Sequence, residues 1–116
     1  MRMLEVEILG VKLRADLLNP KVAKMYECGY EHAIERMKNA KELKNGSDGI
    51  KEQCQAVVDY IDSVFGENSA KKVLGENTDL LTCLDALEDM IHLYENYVTP
   101  LIRGRMQTLT EGIKKG

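Results

Sequence analysis

The chain has 116 residues, of which 44% are hydrophobic and 30% are charged, with a formal net charge of -3 at pH 7. This length and composition indicate one globular domain with a single modest core and exclude a chain that is disordered throughout. No apolar run approaches the roughly 20 residues of a membrane-spanning helix, and Glu5 and Glu7 lie where a signal peptide would be apolar, so we expect a cytoplasmic protein without a membrane partner.

A β-hairpin is predicted at the start of the chain, over about Met3 to Leu17, with its turn at Leu9-Gly10. One face of this hairpin is apolar, and the other carries two pairs of opposite charges. Because a slip by one residue would turn every side chain to the other face, we expect the register to be well specified. The expected cross-strand neighbours are Ile8 with Val11, Glu7 with Lys12, Val6 with Leu13 and Glu5 with Arg14.

The pair Asn19-Pro20 predicts the start of a first helix, with Asn19 as the cap and Pro20 at the first helical position. This helix is expected to run to about Lys44, because apolar residues recur at helical spacing along it. Turn-forming residues at 45–49 then predict a loop. The apolar positions of the first helix are Val22, Met25, Tyr26, Gly29, Tyr30, Ala33, Met37 and Ala40.

A second helix is predicted from about Gly49 to Phe65, capped by Ser47 or Asp48 and ended by Gly66. It is the most apolar helix and is expected to form the centre of the core. The triplet Gly-Glu-Asn occurs at 66–68 and again at 75–77, which predicts two helix-stop, helix-start junctions around one short helix. The apolar stripe of the second helix consists of Ile50, Cys54, Val57, Val58, Ile61, Val64 and Phe65.

The last main helix is predicted from about Asp79 to Val98, and Pro100 is expected to interrupt it because proline lacks the backbone N–H. The remainder has a weak amphipathic pattern that allows a short helix, a mobile segment or folding on a partner. The residues expected to line the inner face of the last main helix are Leu80, Leu84, Leu87, Ile91, Tyr94 and Val98.

These elements predict an α+β fold, mostly α, with an N-terminal β-hairpin followed by three to four helices in one compact domain. Residues 1–99 form that domain, and residues 100–116 form a C-terminal tail that is flexible or becomes ordered on a partner.

The sequence contains no arrangement of residues that predicts catalysis, so we expect a protein that is not an enzyme and has no cofactor. Cys28, Cys54 and Cys83 are widely spaced and lack a C-x-x-C pair, which argues against disulfides and zinc. The spacing Asp89-x-x-His92 occurs only once, whereas a carboxylate-bridged metal pair needs it twice. We therefore predict no metal site.

Charge is distributed unevenly near the end of the chain. From Val73 to Ile102 there is no Lys or Arg, but there are six acidic residues. After Ile102 the sequence has four basic residues and one acidic residue, Glu111; the basic residues are Arg103, Arg105, Lys114 and Lys115. The acidic stretch should repel phosphates, so nucleic acid is not an expected partner. A protein partner is expected to contact an acidic rim and an adaptable apolar segment, namely Glu88, Asp89, Glu95, Leu101, Ile102 and Met106.

The runs at 5–17 (EVEILGVKLRADL) and 19–27 (NPKVAKMYE) resemble the opening of the small tail assembly chaperones of long-tailed phages. The resemblance is closest to the versions from phages and prophages of Gram-positive bacteria, and it extends to 53–66 (QCQAVVDYIDSVFG) and 72–75 (KVLG). It covers residues 5 to about 97. This resemblance implies a non-enzymatic protein in the bacterial cytoplasm. Such a protein would bind the tape measure protein during tail assembly and associate with itself.

Two other functions remain open from the sequence. A structural virion or adaptor protein from the same kind of genome would carry similar surfaces but remain in the finished particle. A small DNA-binding regulator would need a basic recognition helix after a short turn, which the two Gly-Glu-Asn junctions only loosely suggest.

Overall fold

The computed structural model describes residues 2–43 and 45–115 and confirms an α+β fold that is mostly α. Within these residues, a two-stranded antiparallel hairpin is followed by five α-helices, rather than three to four. The elements are β1 (Leu4–Ile8), β2 (Val11–Ala15), α1 (Pro20–Ala40), α2 (Gly46–Phe65), α3 (Ser69–Leu74), α4 (Leu80–Ile91), a π-helical segment (Tyr94–Val98) and α5 (Thr99–Lys115).

The hairpin has the predicted register at every expected pair, and it adds Leu4 opposite Ala15. Both turn residues have positive φ, 50° at Leu9 and 79° at Gly10, as the tightest hairpin turns require. Leucine rarely adopts such a φ, and here the Leu9 backbone N–H donates to Asp89 Oδ2 of α4 at 2.8 Å. The turn is therefore held in place by a helix that lies 80 residues further along the chain.

Helix α1 begins as predicted, since the Asn19 side chain accepts a hydrogen bond from the backbone N–H of Lys21 at 2.9 Å. It ends at Ala40, and its predicted end at Lys44 lies outside the described residues. Helix α2 begins at Gly46, three positions before the predicted start. Residues 45–49, which the sequence predicts to be a loop, already form the first turn of α2, because the Gly49 N–H donates to the Asn45 carbonyl at 3.1 Å.

The two Gly-Glu-Asn junctions flank one short helix, α3, as predicted. Gly66 and Gly75 both have positive φ, 107° and 76°, where the helices before them stop. Asp62 of α2 supplies a connection across the first junction, because its Oδ1 accepts from the Ala70 N–H at 2.8 Å. Helix α3 is thereby attached to α2 at its N-terminal end.

The core lies between the apolar face of the hairpin and helices α1, α2 and α4, with α2 at its centre as predicted. Helices α1 and α2 approach closely at Gly29, where an added Cβ would lie 2.7 Å from Tyr60 Cδ1. The fully buried larger side chains are Val6, Ile8, Leu17, Val57, Ile61, Cys83, Met90 and Leu93.

The inner face predicted for the last main helix is confirmed at Leu87 and Val98, which are buried, and wrong at Leu84 and Ile91. Leu84 and Ile91 are 39% and 41% exposed, whereas Cys83 and Met90 are fully buried. The prediction carried one 3.6-residue period from Leu80 to Val98, but the chain passes through a π-helical segment that has more residues per turn. A period that fits residues after that segment is therefore out of phase with residues before it.

The expected interruption at Pro100 is also wrong, because the chain remains helical through it. Pro100 is the second residue of α5, where a backbone N–H is not required for an α-helical bond, and the wider π turn precedes it. The molecule is consequently long and narrow, with extents of 66 × 24 × 22 Å. Within the described residues, none of the helices combines the length and apolar character needed to cross a membrane.

Candidate protein-binding surface

Three tyrosines attach the π-helical segment and the end of α4 to the rest of the fold. The Tyr26 hydroxyl donates to the carbonyls of Met90 and Ile91 at 2.5 and 2.8 Å. The Tyr60 hydroxyl donates to the Tyr26 carbonyl at 2.9 Å, and the Tyr94 hydroxyl donates to the Leu17 carbonyl at 2.6 Å. The Tyr26 hydroxyl therefore joins α1 to the last two carbonyls of α4, next to the π-helical segment.

The tyrosine rings also pack against each other. The Tyr26 ring centre lies 4.7 Å from that of Tyr94 and 6.0 Å from that of Tyr60. Burial raises the pKa of Tyr26 to about 12, and burial likewise raises the pKa of Tyr60 and of Tyr94. The cluster is a fixed support from which α5 begins.

Helix α5 extends from this support with every residue from 100 to 113 exposed. At 100° per residue, four of its apolar side chains fall within an arc of about 60° and continue the side on which Val98 is buried. An apolar stripe of this kind is normally covered in a stable fold, yet Leu109 is 54% exposed and Ile113 is 80% exposed. We call these four residues the α5 stripe: Ile102, Met106, Leu109 and Ile113.

A cavity of about 230 Å³ lies where the α5 stripe meets the rest of the fold. Leu18, which follows the hairpin, forms its wall opposite α5, and Arg2 and Arg105 contribute the charged side chains. We call this cavity the α5 groove. Its lining residues are Arg2, Leu18, Leu101, Ile102, Arg105 and Met106.

The structure brings together three of the six residues predicted to bind a partner. Leu101, Ile102 and Met106 all line the α5 groove, and none of the three predicted acidic residues does.

Those acidic residues have other positions. Glu88 is exposed on α4, Asp89 accepts the hydrogen bond from the hairpin turn, and Glu95 lies 3.1 Å from His92 Nδ1. Among the described residues, the charged side chains that line the α5 groove are therefore those of Arg2 and Arg105.

Sequence reasoning missed Arg2 and Leu18 as parts of this surface. Both belong to the groove only through tertiary folding, which places them next to the first turns of α5, so no local pattern could have identified them. Arg105 did carry a signal, since the basic character of the chain after Ile102 is evident from the sequence.

A larger open groove of about 730 Å³ lies between α2 and the segment from α3 to the start of α4. Its floor includes Cys54, Val58 and Leu74, and its charged side chains are of both signs. The neighbouring Cys83 is fully buried, and this burial raises the pKa of its thiol to about 11, which favours the thiol over the thiolate at neutral pH. Among the described residues, no group of three or more His, Cys, Asp or Glu side chains is arranged to hold a metal ion.

Comparison with known proteins gives one match. The model of a family of unknown function, DUF6673, matches residues 9–110, and the chain belongs to that family. No curated protein and no solved structure matches it. The matched range runs from the hairpin turn into α5 and so includes most of the surface described above.

Proposed function

We propose that this member of the DUF6673 family is a non-enzymatic tail assembly chaperone of a long-tailed phage or prophage. It acts in the cytoplasm of the bacterial host by binding the tape measure protein. The observation that carries this proposal is the α5 stripe, an apolar helical face that is held out from the core and exposed along its length.

An exposed apolar face of this size needs a partner, because surfaces of this kind on monomeric proteins mark sites of protein interaction. A helix with such a face pairs well with another amphipathic helix, which is the form that a long helical tape measure protein offers. The segments that resemble tail assembly chaperones lie in the hairpin, α1, α2 and α3, which precede α4 and α5 in the chain.

Co-expression with the tape measure protein of the same genome tests the proposal. We expect the two proteins to copurify, and we expect the tape measure protein to aggregate without its partner. Met106→Gln and Leu109→Gln should abolish copurification, because both remove apolar side chains from the α5 stripe. Leu81→Gln is the matched control, since Leu81 is an exposed leucine on α4, away from the stripe. The proposal would be contradicted if the tape measure protein stayed soluble when expressed alone and did not copurify with this chain when the two were expressed together.

A structural virion or adaptor protein is the second candidate, because the same exposed stripe would serve a permanent contact in a particle. Mass spectrometry of purified virions distinguishes the two. The chaperone should be missing from mature particles, whereas a virion component should be present at a fixed ratio to the other tail proteins.

A further inference from the structure

The proposed function leaves open what kind of helix the α5 stripe and the α5 groove accept. We propose that they bind an amphipathic helix whose apolar face is flanked by Asp and Glu side chains. This inference rests on the proposed function for the identity of the partner, but its chemistry follows from the charges around the stripe.

The charges around the stripe are basic. At 100° per residue, Arg103 and Arg105 fall on opposite flanks of the stripe, about 90° and 70° from its centre. Arg2 adds a third guanidinium at the groove, beside Arg105. In the same stretch of chain, from Pro100 to Lys115, the single acidic residue is Glu111, which lies on the side of α5 opposite the stripe.

The length of α5 sets the length of the partner segment. Seventeen residues at about 1.5 Å each give a helix of roughly 25 Å, which a partner helix of similar length covers when it packs along the stripe. Its end would reach the α5 groove, where Leu18 and Leu101 provide further apolar contact. Carboxylates on both flanks of the partner helix would then face Arg103 and Arg105.

Pairing between the α5 helices of two copies is less favourable than this. Their facing flanks would both be basic, and like charges at such positions oppose association. A second copy also offers acidic Asp85 and Glu88 on the exposed face of α4. The exposed face of α4 points away from the core, whereas the α5 stripe continues the side of the helix that faces the core. A contact between the stripe of one copy and the α4 face of another would therefore not be reciprocal, and it would build open chains of molecules.

Two synthetic peptides of roughly 20 residues test the proposal with the full-length protein. Both present the same leucine stripe on an alanine helix, and one carries glutamates and the other lysines on the flanks. Measured by fluorescence anisotropy, the glutamate peptide should bind at least about tenfold more tightly than the lysine peptide, and added salt should reduce the difference. Equal binding of the two peptides, or binding of neither, would overturn the proposal.

Charge reversal provides the sharper test. The double variant Arg103→Glu, Arg105→Glu should exchange the preference and bind the lysine peptide more tightly. Lys51→Glu is the control, because it reverses the charge of an exposed side chain on α2, away from α5, and should leave the preference unchanged. Since all three side chains are on the surface, folding should be preserved, and circular dichroism verifies it.

Mass measurement over a range of protein concentrations completes the test. Growth into open chains that competes with the glutamate peptide would overturn the proposal in favour of a second copy as the occupant. Both peptides are designed sequences that contain no segment of a tape measure protein. Failure of copurification in the cell and failure of the peptide preference are therefore separate results.

Discussion

Helix α2 and helix α5 are both amphipathic, yet the molecule uses their apolar faces in opposite ways. On α2, Val57 and Ile61 are fully buried at the centre of the core. On α5, the whole stripe is exposed, although its spacing is just as regular. A helical period therefore shows that a helix has a face to cover, and only the tertiary structure shows whether this chain or another molecule covers it.

The largest expected difference between the two helices comes from placing the same charge on each. Val57→Asp should destabilise the fold by about 4 kcal/mol or more, since it buries an unpaired carboxylate. Leu109→Asp should change the free energy of unfolding by less than about 0.5 kcal/mol. Urea unfolding measures both, and comparable losses of stability would mean that α5 is packed in solution.

Val58 belongs to the same apolar stripe of α2 but is only half-buried beside an open groove, so Val58→Asp should lower the free energy of unfolding less than Val57→Asp does.

A smaller contrast comes from glycine. Gly29→Ala should destabilise the fold by about 1–3 kcal/mol, because the new Cβ would lie 2.7 Å from Tyr60 Cδ1 and the Tyr60 hydroxyl is bonded to α1. At Gly104, a new Cβ meets no described atom within 4 Å, so Gly104→Ala should increase the helix content of α5, since alanine favours helix over glycine by about 1 kcal/mol. Thermal unfolding and circular dichroism measure the two effects. Destabilisation by both substitutions would show that α5 has close neighbours.

The smallest effect near neutral pH is that of the tyrosine cluster, which should matter only in alkali. Burial raises the pKa of Tyr26 to about 12, so this group contributes stability that is present below pH 10 and is lost as the pH rises through 12. The melting temperature should fall between pH 10 and 12, together with a rise in phenolate absorbance, and Tyr26→Phe should reduce that fall. A melting temperature that stays constant over this range would contradict the packing of the cluster.

Much of the fold follows from local chemistry. The hairpin register could be predicted because alternation and charge pairing agree only in one alignment, and the short helix α3 could be predicted because glycine stops a helix on each side of it. Which side of α4 faces the core could not be predicted from the sequence. The π-helical segment changes the rotation per residue, and the apolar pattern carries no signal of that change. Pro100 misled for a related reason, since a proline in the first turn of a helix does not end it.

The candidate surface divides in the same way. Leu101, Ile102 and Met106 were predicted because they are apolar residues beyond the last main helix, and the structure brings them into one groove. Leu18 and Arg2 were missed because only tertiary folding places them beside the first turns of α5. Glu88, Asp89 and Glu95 lie outside this groove, since the sequence shows the sign of a charge but not which part of the surface carries it.

The contact between the hairpin turn and α4 has a consequence for the order in which the protein is made. Asp89 holds the Leu9 N–H, and the Tyr97 hydroxyl accepts from the Glu7 N–H at 3.3 Å. The hairpin therefore obtains two of its hydrogen bonds from residues translated 80 and 90 positions after it. Closing a loop of that length is slow relative to forming local helices, so the hairpin gains these contacts only after the helices that follow it have formed.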